Sequence, residues 1–271
     1  MARIALVISD VDGTLVTSQK RVTERTRAAV AKLHAQNIRF TVISSRPPFG
    51  LRMLVDTLGI TTPMAAFNGG AIASPGLEII KLRSIERDVA REIVGFLDAQ
   101  RVGVWLFTGA EWLTRDLGGA HVSHETITVQ QRPHAVENFD AVIDNAGKIV
   151  GVSDDFARLE AIEAEARARF ATRAMAVRSQ PYYLDFVAPG VDKGVAVREL
   201  AQTIGVSLAE IVTLGDMEND VPMFRQAGFS IAMGNASDEV KRQAREATLT
   251  NDEDGFAAAV ERFILPRAKG A

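Results

Sequence analysis

The chemistry this chain can do is concentrated in four short clusters. Asp10-Val11-Asp12-Gly13-Thr14 places two carboxylates two residues apart, directly after the apolar run Ile4–Ile8. In extended backbone that spacing points both to the same side. A carboxylate pair in unlike environments divides into an ionised nucleophile and a proton donor, and Gly13 permits the turn that keeps the following backbone close to a bound group. A lone Asp-Gly reads equally well as a cap or a turn. Ser44-Ser45-Arg46-Pro47 offers a hydroxyl, free amides and a cation, a set that holds phosphate oxygens or simply opens a helix. Asp192-Lys193-Gly194 places a lysine at a helix start, where the macrodipole already favours an anion; a capping Asp followed by a solvated lysine fits the same letters, and from these residues alone is the preferred reading. Gly215-Asp216-Met217-Glu218-Asn219-Asp220 supplies oxygen donors suited to magnesium, although with Pro222 it also reads as a helix start.

The elements around these clusters decide between the readings. Ile4–Ser9, Arg39–Ser44, Met64–Phe67, Ile211–Leu214 and Ser230–Met233 read as strands. Thr23–Gln36, Pro48–Leu58, Lys193–Ile204 and Gly255–Phe263 read as helices. Strand alternating with helix predicts a parallel sheet with helices on its faces, and in such sheets sites lie beyond the carboxyl ends of the strands. All four clusters fall at strand ends or helix starts. Between Leu82 and Ala188 the rhythm changes. Val102–Thr108 reads as a strand, Asp140–Gly151 as strand, turn, strand, and Phe156–Phe170 as a helix with a charged outer face. Ala174–Val177 and Tyr182–Val187 read as an antiparallel pair. This middle third is an α+β insertion, with Lys81–Arg87 and Ala188–Asp192 as its hinges.

Composition bounds the function. The 271 residues, 47% hydrophobic and 24% charged, suit two domains of an ordinary globular protein. The net charge of -3 lacks the basic excess of a nucleic-acid partner. With no cysteine, disulfides, thiolate catalysis and cysteine metal sites are excluded. The start, Met1-Ala2-Arg3-Ile4, leads into an apolar run ended by Asp10, too short for a secretion signal. No stretch approaches the roughly 20 apolar residues of a membrane span. The expectation is a cytoplasmic protein, monomer or homodimer, with no nucleic-acid or membrane partner.

In their order, Asp10–Thr14, Ser44, Lys193 and Gly215–Asp220 resemble the four motifs of the haloacid dehalogenase (HAD) superfamily of phosphotransferases. Phe67-Asn68-Gly69-Gly70, Ala232–Ala236 and Thr250–Gly255 resemble its Cof-type branch. The resemblance covers both flanking halves; in the middle third it is architectural, since the family carries an α/β cap there. It implies an α/β fold: a three-layer Rossmann-like core from residues 1–82 and 188–271, and an α+β cap over 83–187. It implies Mg2+-dependent hydrolysis of phosphate monoesters through an aspartyl-phosphate. Asp10 would attack phosphorus, and Asp12 would protonate the leaving oxygen and then activate water. Ser44 and Lys193 would bind the phosphoryl group with Asn219 nearby, while Ser45, Arg46 and Asn68 are candidate contacts to phosphate or leaving group. The metal would be held by Asp10, the main-chain carbonyl of Asp12, and Asp216, with Asp220 supporting or joining. Ser45 stands where family members often carry glycine, which is expected to narrow the phosphate pocket.

The substrate would be a small phosphorylated metabolite: a sugar phosphate, pyridoxal phosphate or a nucleotide-like phosphate. The rivals are a phosphomutase or a dedicated sugar-phosphate phosphatase on the same scaffold, and a phosphate-binding sensor module, which would have no use for Asp12. His121, His124 and His134 are expected to be structural or solvent-exposed, Trp105 to pack in a core, and Arg158–Arg169 to be a solvated face.

Overall fold

The computed structural model describes residues 3–268; Met1 and Ala2, read above as the lead into the first apolar run, and residues 269–271 lie outside the described residues. Runs of β-branched and aliphatic residues with no polar face become the central strands, because a parallel sheet is covered on both sides. Strands β1 (Leu6–Ser9), β2 (Arg39–Val42), β12 (Ile211–Gly215), β13 (Phe229–Ala232) and β14 (Glu246–Ala247) form one sheet. Its order is β14-β13-β12-β1-β2 and every pairing is parallel. The chain leaves β1 toward β2 on one side and β12 toward β13 on the other, so the order reverses between β1 and β12. That reversal opens a crevice at the carboxyl ends.

Alternation along β1 sorts the layers. Val7 packs with Ala29, Val30 and Leu33 of α1 (Glu24–Ala35) and with Phe256 and Val260 of the terminal helical segment. Leu6 and Ile8 face the other way, onto Ala196, Val197 and Leu200 of α6 (Lys193–Ile204) and Met223 of α7 (Val221–Gln226). Local chemistry fixes the helix ends: Thr23 caps α1 by accepting from the Thr26 amide, Asp192 caps α6 by accepting from the Val195 amide, and Gly205 ends α6 with φ of 73°.

Met64–Ala66 (β3) follows β2 in the parallel sense expected, but meets it only at the very end of β2. Phe67 and Asn68 take positive φ, 52° and 56°, and turn the chain back. So β3 pairs antiparallel with β4 (Ala71–Ala73), which pairs with β5 (Ile79–Leu82); only the bridge Ile43–Ala65 joins β3 to the end of β2.

A six-stranded sheet lies in the middle of the chain: β6 (Gly103–Phe107), β7 (Trp112–Thr114), β8 (His134–Ala135), β9 (Lys148–Val152), β10 (Met175–Gln180) and β11 (Tyr183–Val187), ordered β10-β11-β9-β6-β7-β8. Helices α3 (Arg87–Ala99) and α5 (Phe156–Phe170) cover one face, and α4 (Val122–Val129) packs beside it. The expected strand pair over Asp140–Gly151 is a single strand: Asn138 accepts from the Asp140 amide in a side-chain turn, and Ile143–Asn145 continue as a 3-10 turn. Among the described residues no helix is long and apolar enough to cross a membrane.

Candidate active site

The crevice between β1 and β12 gathers the carboxylates. Asp10 follows β1 and its amide donates to Leu214 O at 2.9 Å, tying the two strand ends together. Lys193, first residue of α6, reaches Asp10 Oδ1 at 2.6 Å and pairs with Asp220 Oδ1 as well. Lys193 is 2% exposed, so the solvated-lysine reading of Asp192-Lys193-Gly194 does not hold, while its capping reading of Asp192 does. The other oxygen of Asp220 accepts from the amides of Asp216 and Met217 at 2.8 and 2.9 Å. Asp216 accepts from the Thr14 hydroxyl at 2.9 Å and from Asn235 Nδ2 at 3.2 Å.

Asp10, Asp216 and Asp220 each offer one carboxylate oxygen, and these atoms lie within 4.8 Å of one another. One lysine does not neutralise three buried carboxylates. Burial raises Asp10 to about 7 against the pull of Lys193; burial, then Asp10 and Asp220, raise Asp216 to about 8. Hard oxygen donors with excess negative charge fit a divalent cation of the magnesium type. Asp220 is held by Lys193 and two amides, whereas Asp216 is held only by the neutral donors Thr14 and Asn235 and Asp10 by Lys193 on one oxygen, so Asp10 and Asp216 keep the more available charge. The crowding explains the glycines: a Cβ on Gly13, whose φ is +84°, would lie 2.4 Å from Asp216 Oδ2.

Asp12 sits in different surroundings. Arg46 donates to both its oxygens at 2.8 Å, and Lys20 donates to Oδ1 at 2.7 Å. Burial alone would raise its pKa, but these two cations outweigh it and hold the carboxyl well below the usual range. Arg46, 3% exposed, also donates to Thr128 O at 3.0 Å on α4, so one guanidinium joins Asp12 to the overlying sheet domain.

Ser44 is buried and its hydroxyl oxygen accepts from the Arg46 amide at 3.1 Å. Asn219 Nδ2 donates to Asn68 Oδ1 at 3.3 Å, leaving the buried Asn68 Nδ2 without a partner, a free donor beside the cluster. Asp10, Lys193, Asp216 and Asp220 are thus in direct contact, Asp12 is engaged by Arg46, and Ser44, Asn68 and Asn219 flank them. Ser45 contributes its main-chain oxygen, which accepts from Lys148 Nζ at 3.1 Å.

Several residues here gave no signal above. Lys20 sits in a loop with φ of 61°. Glu125 lies in the first turn of α4, a helix that was not anticipated. Lys148 and Asp185 were legible in principle, as charges inside strands buried at all five positions. His124 is exposed, as expected, and it also lines the cavity shared by Asp12 and Lys20, with its Nε2 3.3 Å from Tyr182 Oη. Trp105 packs in a core as expected. The Thr250–Gly255 loop has a physical role: Asn251 Nδ2 donates to Val16 O, Ser18 N to Asp252, and Thr23 to Asp254. It clamps the loop that follows β1. Beside Asp216, a cleft of about 680 Å³ opens between Asn219 and Arg178.

Residues 7–260 match the family model of haloacid dehalogenase-like hydrolases. A solved haloacid dehalogenase-like hydrolase from Bacteroides thetaiotaomicron is 30% identical, superposes with a TM-score of 0.87 and is matched over 96% of this chain and 99% of its own. Among curated proteins, 5-amino-6-(5-phospho-D-ribitylamino)uracil phosphatase YwtE of Bacillus subtilis is 26% identical over 94% of this chain and 96% of its own length. The Escherichia coli phosphatase YbjI of the same description is 27% identical over 98% of each.

Proposed function

Since the chain belongs to the haloacid dehalogenase-like hydrolases and is a phosphatase of small metabolite phosphates, we propose that it hydrolyses monoesters with Mg2+, through a phosphoryl group carried on Asp10. The observation that carries this reading is the contrast between two carboxylates two residues apart. Asp10 lies in the carboxylate cluster against Lys193, and Asp12 stands apart from it in the grip of Arg46 and Lys20. The proposal takes residues 1–82 and 188–271 as the catalytic core and 83–187 as its cap.

In this reading Asp10 attacks phosphorus and the P–O bond to the leaving group breaks as the aspartyl-phosphate forms. Splitting one hard displacement into two lowers each barrier. Lys193, the Ser44 hydroxyl and the free Asn68 amide hold the equatorial oxygens, where the transition-state charge spreads. Asp12, which Arg46 and Lys20 hold ionised in the resting site, first takes up a proton from solvent as substrate enters and passes it to the departing oxygen; in the second half it takes one from the attacking water. Mg2+, held by Asp10, Asp216 and the main-chain carbonyl of Asp12 with Asp220 supporting, would supply the positive charge that lets one anion approach another. The cap closes over the reaction and shields it from bulk solvent while admitting the one water that the second half consumes. The relatives named above act on a phosphorylated ribityl compound, which supports a sugar or cofactor-precursor phosphate as substrate.

The test is phosphate release from a panel of phosphorylated metabolites, with Mg2+ and with chelator, using Asp10→Asn as control. Release that needs Mg2+ and vanishes in Asp10→Asn supports the reading. Release retained by Asp10→Asn removes Asp10 from the nucleophile role.

A further inference from the structure

The cap sheet has two unlike faces. Val104, Leu106, Ile149, Leu184 and Phe186 point toward α3 and α5 and are apolar throughout. The opposite face, pairing Trp105 with Val150, Phe107 with Lys148 and Asp185 with Val150, looks toward the catalytic core. On that face the apolar pattern is broken by Lys148, 4% exposed, and Asp185, fully buried. An apolar pair would hold such a face together as well, because burying two ions is costly and their attraction repays it only when every lone pair and N–H is used.

Here they are not all used. Lys148 Nζ makes a long contact of 3.4 Å to Asp185 Oδ2 besides its bond to Ser45 O, and among the described residues Asp185 Oδ1 has no well-formed partner, with only the Ser179 side chain near enough to favour its charged form. Glu125, 6% exposed on α4, accepts only from the Tyr183 hydroxyl, at 3.2 Å, among the described residues. Glu125 and Lys148 line one cavity together with Asp12, Arg46 and Lys20, and Asp185 stands behind Lys148. The cavity measures about 20 Å³, room for one water and no more. A leaving group that departs beside Asp12 and outgrows this space extends toward Glu125 and Lys148.

We propose that Glu125 and Lys148, the latter backed by Asp185, form the leaving-group subsite and select a neutral, hydroxyl-bearing chain over one carrying a second anion. The proposal rests on the phosphatase reading above. Its argument is charge balance. Both other cations of the cavity, Arg46 and Lys20, are committed to Asp12, and Lys148 faces two carboxylates, so no positive charge is spare for a second phosphate or a carboxylate. His124 at the edge is pushed toward its neutral form by burial and by Lys20. What the subsite offers is donors and acceptors side by side, and a hydroxyl uses both at once.

The test compares kcat/KM for ribitol phosphate, a hexose monophosphate, the corresponding hexose bisphosphate and p-nitrophenyl phosphate. The proteins are the unmodified chain, Glu125→Gln, and the triple variant Glu125→Gln, Lys148→Met and Asp185→Asn, which removes all three charges of the subsite together. Circular dichroism and thermal melts check folding, and the triple variant decides if Glu125→Gln does not fold. The unmodified enzyme is expected to prefer ribitol phosphate and the hexose monophosphate over the bisphosphate by at least about tenfold. Each variant is expected to lose at least about tenfold more on these hydroxylated substrates than on p-nitrophenyl phosphate, mainly through KM. Glu125→Gln should also raise the bisphosphate-to-monophosphate ratio. Equal losses on all substrates, or an unmodified enzyme that prefers the bisphosphate, would overturn the subsite while leaving the phosphatase reading intact. An unmodified enzyme that releases phosphate from none of the four would overturn both.

Discussion

Arg46 holds Asp12 by both carboxylate oxygens, Nε on Oδ2 and Nη2 on Oδ1, while its remaining nitrogen reaches Thr128 O on the cap. The posture of the proposed acid/base is thereby tied to the position of the domain above it. A lysine keeps the charge but not the planar fork. Arg46→Lys is expected to lower kcat by roughly 100-fold through misplacement of Asp12. Steady-state kinetics should show a smaller loss for an activated aryl phosphate than for an alkyl phosphate.

Asp12→Ala separates the acid role from phosphoryl transfer itself. A poor alkoxide leaving group needs its proton, and a nitrophenolate does not. The expected loss is roughly 10²–10⁴-fold for alkyl phosphates and far less for p-nitrophenyl phosphate. Equal losses on both would remove Asp12 from that role.

The carboxylate cluster predicts how stability changes with pH. Asp10 and Asp216 are raised to about 7 and about 8 from the ordinary 3.8. The folded, metal-free protein therefore binds more protons than the unfolded chain between those limits, so this part of its stability is present below about pH 4 and lost as pH rises through 7 to 8. A bound cation needs the ionised forms. The stabilisation by Mg2+, read as a shift in melting temperature against chelator, should be larger at pH 8 than at pH 6. An equal shift at both would contradict the assignment of these carboxylates to the metal.

Gly13→Ala places a methyl 2.4 Å from Asp216 Oδ2 in backbone with φ of +84°. The expected cost is about 1–3 kcal/mol, seen as a melting temperature lower by several degrees, roughly 2–4 °C per kcal/mol in a chain of this size. The apparent Mg2+ requirement should rise in parallel. Unchanged values for both would show that the loop relaxes freely.

The catalytic half of the molecule was legible because its signals are local. Asp10, Lys193 and Asp216 follow strands or open helices whose apolar runs are plain, and a parallel sheet dictates where such ends meet. What the letters did not carry was partnership. Nothing local says that Lys20 reaches Asp12, that Arg46 spans to Thr128, or that Lys193 is buried between two carboxylates. The cap was harder. Helix α4 has a short, weakly amphipathic sequence flanked by two residues with positive φ, His121 and Gln130, and was not anticipated. Its Glu125 was therefore invisible. Lys148 and Asp185 were readable only as oddities, since an ion inside an apolar strand declares a polar neighbour without naming it. The Thr250–Gly255 loop became intelligible once the chain's two ends were seen side by side.

Strand β1 has its two neighbours at opposite ends of the chain: β2 begins at Arg39 and β12 at Ile211. During synthesis β1 is released early and can pair with β2, yet its other edge waits for more than half of the protein to be made. An unpaired, apolar strand edge is a template for foreign strands. The nascent chain thus spends most of its elongation with its most aggregation-prone edge open, a burden set by threading a second domain through the middle of the first.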